Sequence, residues 1–189
     1  MAIKTKRTIS TLISLADADE LSSYYQRNAN FLRPFEPARS DDYHTLTAWE
    51  TRANTFACES AQGQAYRYSV RLKNESTIIA VVNFTNIVRG VFQACYLGFS
   101  LDEKQQGKGL MFEVLSALIL HIFHVYHLHR VMANYTPENI RSGILLKRLG
   151  FEKEGYARDY LMISGQWRDH ILTSRRNEAY HKARPSCKT

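Results

Sequence analysis

Residues 110–126 form the most regular helical stretch of the chain, and they lie between two runs that read as strands, 92–101 and 129–135. Met111, Val114, Leu115, Leu118, Ile122 and Val125 recur at helical spacing, which gives one apolar face to lay on a sheet. A strand–helix–strand unit of this length is a right-handed crossover between parallel strands, so the fold must hold a sheet with a parallel pair.

The remaining elements arrange themselves around that unit. Residues 8–15 alternate apolar and small polar side chains and predict a strand. A helix follows over 17–28, with Asp17, Asp19 and Glu20 at its positive end. Pro34 and Pro37 keep 31–37 from being a regular helix, and helical character resumes over 41–60. Strands are expected at 66–72 and 77–88, with Arg89-Gly90 turning the chain into 92–101. A helix over 138–149 and strands at 156–163 and 166–174, meeting at Ser164-Gly165, complete the order β-α-α-β-β-β-α-β-α-β-β. This is a mixed α/β fold with seven strands and helices on the faces of the sheet. Without repeats or linkers it is one domain, 1–176, followed by a basic tail, 177–189.

Lys and Arg outnumber Asp and Glu by 25 to 18. The surplus favours anionic partners: a phosphorylated cofactor, an acidic surface or RNA. Arg175, Arg176, Lys182, Arg184 and Lys188 crowd the end of the chain, where a solvated tail is the simpler reading. Cys58, Cys95 and Cys187 are odd in number and form no Cys-x-x-Cys pair, which suits a reducing compartment and no cysteine metal site. Three of His121, His124, His127 and His129 fall three apart, sweeping around a helix rather than forming an i, i+4 ligand pair, so no metal is expected. Basic residues precede the apolar stretch 8–16, but Ser10, Thr11 and Ser14 interrupt it and acids follow, so it is not read as a signal peptide. The most apolar run, 114–122, is too short to span a bilayer. A cytoplasmic protein with no membrane partner is the expectation.

Two places carry chemistry. Gln106-Gly107-Lys108-Gly109-Leu110-Met111 lies between a buried strand and the best helix. Glycines there let successive amides converge, and the helix start adds partial positive charge, a combination suited to phosphate. It is neither a P-loop nor a dinucleotide fingerprint. Thr136-Pro137-Glu138-Asn139-Ile140-Arg141-Ser142 opens the next helix, with Thr136 as expected N-cap and Pro137 at the first position. Asn139 and Ser142, three apart, then share a face at its amide-rich end. Gly150 is suited to a left-handed cap at the far end.

Together these segments resemble the two cofactor motifs of the GNAT superfamily. Gln106-x-x-Gly109-x-Met111 is similar to its pyrophosphate loop, and Asn139-x-x-Ser142 with Leu145-Leu146-Lys147-Arg148-Leu149-Gly150-Phe151 is similar to its second motif. Within it, Phe31–Pro37, 83–90, Met132-Ala133-Asn134-Tyr135 and 165–170 are most similar to the ribosomal-protein-alanine N-acetyltransferases. The resemblance implies a mostly antiparallel seven-stranded sheet, four flanking helices, and splayed central strands that admit the pantetheine of acetyl-CoA. Backbone groups near Phe99, Ser100 and Leu101 would pair with it, Gln106 to Met111 would take the pyrophosphate, and Asn134, Asn139 and Ser142 would border the thiol end. The implied reaction is acetyl transfer to a protein N-terminus, above all the alanine of a small-subunit ribosomal protein, with ribosome or rRNA contact and a monomer or homodimer.

The chain departs from that pattern in three places. Met111 replaces a small residue, Leu146 stands where several relatives have a tyrosine acid, and Asn134 stands where one branch has a glutamate base. Direct amine attack is expected, with no acyl-enzyme. A backbone N–H on a bulged strand near Phe99 would meet the oxyanion, Ser142 would protonate the thiolate, and Asp159 would accept the amine proton. Phe31, Phe35, Glu36 and the Ser164-Gly165 hairpin would form the peptide side, unless those phenylalanines simply join the core. Two other readings stay open: an acetyltransferase for a polyamine or aminoglycoside, and a non-enzymatic ribosome- or RNA-binding module.

Overall fold

A computed structural model describes residues 2–180, so Lys182, Arg184, Cys187, Lys188 and the rest of the expected tail from 181 lie outside the described residues. Eight strands share one sheet: β1 (Ala2–Lys4), β2 (Thr8–Leu12), β3 (Tyr66–Leu72), β4 (Ile78–Val88), β5 (Ala94–Leu101), β6 (Arg130–Tyr135), β7 (Glu152–Ile163) and β8 (Gln166–Arg176). Their order is β1-β2-β3-β4-β5-β6-β8-β7. The helices are α1 (Ala18–Leu32), α2 (Leu46–Ala61), α3 (Leu110–Val125) and α4 (Ile140–Arg148). The expected seven strands are corrected to eight: β1 pairs with β2, but three residues are too few to show alternation. Arg175 and Arg176 lie in β8, so the basic cluster starts inside the sheet rather than in a tail.

Among the described residues only β5 and β6 run parallel, as the crossover requires. Their pairing spans Ala94↔Arg130 to Tyr96↔Met132 and then stops, although β5 continues to Leu101 and β6 to Tyr135. On their outer edges β5 stays paired with β4 up to Ala80↔Leu101, and β6 with β8 up to Tyr135↔Ile171. The sheet therefore opens as a wedge between two strands that are each held firmly from outside. The β4–β5 register is unbroken beside Phe99 and shifts only between Thr85 and Val88, where Asn86 has φ 51°. The bulge expected near Phe99 thus lies on β4, at the other end of the hairpin.

Alternation sorts the core into two layers. Ala80, Val82, Phe84, Cys95 and Leu97 pack with α3 and with Leu146 and Leu149 of the α4 segment. Val81 packs on the opposite side with Leu21, Tyr24 and Tyr25 of α1 and Trp49 and Ala53 of α2. Leu115, Leu118, Ile119 and Ile122 are fully buried. At about 1.5–3 kcal/mol for each such side chain, packing rather than propensity holds α3 in place.

Local chemistry sets the boundaries. Thr45 is extended (φ −74°, ψ 150°) and its hydroxyl accepts the Ala48 amide, so the expected 41–60 helix splits into a short turn, Asp41–His44, and α2. α1 runs past its expected end at 28 to Leu32, with Pro34 in the 3-10 turn Arg33–Phe35 where no amide donor is needed. Ser164 (φ 48°) and Gly165 (φ 79°) are both left-handed, as a two-residue hairpin of matching twist demands. No helix among the described residues is long and apolar enough to cross a membrane.

Candidate active site

The segment leaving β5 is braced before it turns. Asp102 Oδ1 accepts the Lys104 amide at 2.9 Å, and Gln106 Nε2 donates to the Leu101 carbonyl at 2.9 Å. Gly107 (φ 73°) and Gly109 (φ 72°) then take the left-handed conformation, with Gly109 as N-cap of α3. The first amides of α3 have no partner within the helix, so the turn offers converging donors to an anion. Gln106 therefore shapes the loop through the Leu101 carbonyl, and Lys108 is exposed with its ammonium 2.9 Å from Gln105. Leu110 and Met111 are buried in the core. The larger Met111 side chain accordingly enters the protein instead of crossing the loop.

Arg7, a hundred residues away in sequence, completes this corner. Its Nη1 donates to the Lys108 carbonyl at 2.9 Å, and its Nε pairs with Glu113 at 2.7 Å. Glu113 also accepts the Arg7 amide and the Thr5 hydroxyl. Burial alone would raise the Glu113 carboxyl, but those hydrogen bonds and the Arg7 charge outweigh it and hold the group at about 2. Nothing local in the sequence marks Arg7 for this position.

Backbone direction along β5 follows from its ends. The Gln93 carbonyl accepts from His129 and Arg130, and the Asp102 amide donates to Ile79. Odd-numbered residues therefore turn their backbone groups towards β6, and even-numbered ones towards β4. Phe99 and Leu101 present main-chain groups to the wedge, whereas Ser100 does not. Ser100 contributes its side chain, which meets the Tyr24 hydroxyl at 2.9 Å. By the same alternation Asn134 faces the wedge with its backbone.

At the start of α4 the cap is Asn139, not Thr136. Asn139 Oδ1 accepts the Ser142 amide at 3.2 Å, while the Thr136 carbonyl accepts the Asn139 amide in the preceding turn. The Ser142 hydroxyl takes no part in the cap. Gly143 lies against the Tyr135 ring so closely that an added Cβ would be 2.8 Å from it. Gly150 has φ 82°, as its capping position requires.

A cavity of about 680 Å³ gathers Phe31, Phe35, Phe99, Ser100, Leu101, Gln106, Met111, Asn139 and Ser142. Asn30, Arg141 and Leu145 line it too and were not expected; Arg141 adds a cation beside Ser142. Gly107, Lys108, Gly109, Leu110, Asn134, Glu36 and Asp159 are not among its lining residues. Phe31 is half-buried against the α1–α2 core, while Phe35 stays 43% exposed, so the two readings of the phenylalanines divide between them.

Glu36 lines a separate cavity of about 330 Å³, and its carboxylate is paired with Arg39 at 3.1 Å. The 31–37 segment and the Ser164-Gly165 hairpin touch: the Ser164 amide donates to the Glu36 carbonyl and its hydroxyl to the Arg33 carbonyl.

Asp159 stands exposed in a bulge of β7, at φ 47°, with its amide donating to Asp169 at 2.9 Å. Asp169 also accepts the Tyr156 hydroxyl, which first of all lowers its pKa. The neighbouring Tyr160 turns inward over His170 and meets Asn134 Nδ2 at 3.1 Å. Cys58 is exposed on α2, and burial pushes the Cys95 thiol up to about 12. Among the described residues no three or more His, Cys, Asp or Glu side chains are grouped to hold a metal.

Comparison with known proteins agrees with this geometry. A family model described as an acetyltransferase (GNAT) domain matches residues 7–152. The chain is 49% identical over 172 residues to the ribosomal protein uS5-alanine N-acetyltransferase of Escherichia coli (strain K12), covering 91% of this chain and 89% of that one. It matches the ribosomal-protein-S5-alanine acetyltransferase of Vibrio fischeri with a TM-score of 0.92 and 38% identity, over 98% of this chain and 100% of that one. Mycobacterium smegmatis RimJ, solved in complex with CoA-disulfide, matches with a TM-score of 0.85 and 26% identity, over 93% and 87% of the two chains. With the parted strands, the glycine turn and the matched family in agreement, the chain belongs to the GNAT family of acetyl-CoA-dependent N-acetyltransferases.

Proposed function

We propose that this enzyme transfers the acetyl group of acetyl-CoA to the α-amino group of a protein, foremost the alanine terminus of a small-subunit ribosomal protein, in the cytoplasm. The observation that carries the proposal is one cavity in which Phe99, residues Leu101, Gln106 and Met111, and the start of α4 meet Phe31 of the last turn of α1 and Phe35 just beyond it. The cofactor side and the acceptor side thus share a single space. The substrate class rests on the end-to-end likeness to enzymes named for the alanine of uS5 or S5.

In this reading pantetheine lies in the wedge against the main chain of Phe99 and Leu101 on one strand and Asn134 on the other. The Gly107–Met111 turn receives the pyrophosphate, with Gln106 fixing its shape and Lys108 and Arg7 supplying positive charge around it. The amine attacks the thioester directly. A protein α-amino group, of pKa about 7.7–8.0, is roughly a tenth to a fifth neutral at pH 7, so positioning replaces a strong base. The Phe99 amide meets the developing oxyanion, and the Ser142 hydroxyl gives a proton to the departing thiolate. A covalent route through Cys95 is disfavoured by its burial and raised pKa. Asp159 is given no part, because it stands outside the cavity and exposed.

The test is release of free thiol from acetyl-CoA with short peptides beginning in Ala, Ser or Met, and with spermidine, in parallel. Preference for the Ala peptide supports the proposal. Turnover on spermidine alone would place the enzyme among small-amine acetyltransferases, and salt-sensitive RNA binding with no transfer to any amine would count against catalysis.

A further inference from the structure

Beside the glycine turn, α4 presents one stripe of side chains to the start of α3. Arg141, Leu145 and Arg148 stand at i, i+4 and i+7, so the three share a face of the helix. Arg141 and Leu145 line the cavity of about 680 Å³ together with Met111. Arg148 lies beyond the edge of that cavity, with its guanidinium over the ring of Phe112 at 4.7 Å from the centroid. Helical side chains lean towards the N-terminus of their own helix, which brings the Arg148 head back to the first turn of α3. Lys147, its neighbour, turns to the other flank and lines a separate cavity with Ile144 and Phe151.

Arg148 is exposed, and among the described residues no carboxylate lies within 4 Å of its guanidinium. Glu113, next to Phe112, already accepts from Arg7 and Thr5. The last turn of a helix favours a cation, but its dipole prescribes no orientation for the side chain. Stacking does. It fixes the guanidinium plane on the ring and leaves the edge N–H groups free to meet a phosphate as a fork.

The surroundings of the turn decide where a coenzyme leaves it. Leu110 and Met111 are buried in the core, and Thr5, Arg7 and Glu113 close one flank of α3. The other flank, towards α4, carries Phe112 and Arg148. Past its diphosphate, coenzyme A bears a phosphate monoester on the 3′ oxygen of its adenosine. Such a group carries about −1.5 to −2 of charge near pH 7.

We propose that Arg148, held flat on Phe112, binds the 3′-phosphate of the coenzyme outside the cavity that takes its thiol end, and so selects coenzyme A over its 3′-dephospho form. This rests on the reading of the glycine turn as the diphosphate site. Arg141, two turns nearer the start of α4 and about 10 Å away along its axis, lines the cavity itself and serves the rest of the coenzyme.

Isothermal titration of the full chain with coenzyme A and with 3′-dephospho-coenzyme A tests the assignment in wild type, Arg148→Gln and Arg141→Gln. Wild type should bind coenzyme A at least tenfold more tightly than the dephospho form. Arg148→Gln should weaken coenzyme A at least fivefold and leave the dephospho form within twofold, so that the discrimination collapses. Arg141→Gln should keep the discrimination of wild type. Equal affinity of wild type for the two compounds would overturn the assignment, as would equal losses on both in Arg148→Gln. Discrimination lost in Arg141→Gln and kept in Arg148→Gln would overturn it as well. Binding of neither compound by wild type would instead remove the diphosphate reading, and the assignment with it.

Discussion

The Tyr24 hydroxyl of α1 meets the Ser100 hydroxyl of β5 at 2.9 Å, and this contact sits beside a second bridge between the same elements. Arg27 pairs with Asp102 at 2.9 Å, Asn28 donates to the same carboxylate, and the Glu103 amide donates back to Asn28. Helix α1 is thereby fastened to the end of β5 where the wedge is widest, which sets the position of Phe31 and Phe35 relative to the cofactor side. Tyr24 is fully buried and burial drives its pKa well above the ordinary value, so the contact is a neutral hydrogen bond.

Removing the shared acceptor should loosen that attachment. Asp102→Ala leaves Arg27 and Asn28 without their common partner in a largely buried site, at a cost of about 2–3 kcal/mol. Urea denaturation should show a lower midpoint with an unchanged slope. The acceptor KM should rise with it, since α1 carries Phe31. A midpoint equal to wild type would mean that the network does not hold the helix.

Glu113 gives a pH-dependent signature. Its folded value is about 2 against an ordinary 4.5, so its contribution is fully present above pH 4.5 and is lost as pH falls towards 2. Glu113→Gln should therefore be less stable than wild type at pH 7, and the gap should shrink between pH 4.5 and 2. Thermal melts at several pH values decide it; a gap independent of pH would show that the Thr5 and Arg7 contacts do not depend on the charge.

Gly109→Ala places a Cβ at φ 72°, where a left-handed residue costs roughly 1–2 kcal/mol. The nearest atom to that Cβ is Arg7 Nη2 at 3.8 Å, an ordinary contact, so the penalty is one of backbone strain alone. Weaker acetyl-CoA binding by isothermal titration, with secondary structure unchanged, is the expected result. Unchanged affinity would show that the loop tolerates another conformation.

At Gly143 the conflict is steric instead. Alanine would gain about 1 kcal/mol of helix propensity, but its Cβ would press into the Tyr135 ring at 2.8 Å, and overpacking of this kind costs about 1–3 kcal/mol. We expect a net loss in melting temperature and a higher KM for acetyl-CoA, because α4 must shift away from β6. A stabilised variant would show that the ring yields freely.

What the sequence reveals follows from which forces are local. Strand β3 and the start of α3 fall where alternation and helical spacing predict them, because both patterns are written in consecutive residues. The glycine turn was legible in Gly107 and Gly109 themselves, and the wedge only through the family resemblance that Gln106, Gly109, Asn139 and Ser142 carry. Strand β1 was not, since three residues carry no period and their partner is supplied by tertiary context. Thr136 and Asn139 are both competent caps, and only the geometry of the turn between them selects Asn139. The β7 bulge is invisible because a strand's register exists only relative to its neighbour, so the sequence offers Asp159 whereas the inward residue is Tyr160. Arg7 lies far from the loop it braces and could not be placed there by spacing.

The most direct measurement is amide hydrogen exchange with and without coenzyme A. Slowed exchange at Phe99, Leu101, Asn134 and the amides of 107–111 is what a pantetheine arm held in the wedge and a pyrophosphate on the glycine turn must produce. Exchange unchanged at those amides under saturating coenzyme A, or protection confined to another part of the sheet, would contradict the site as described.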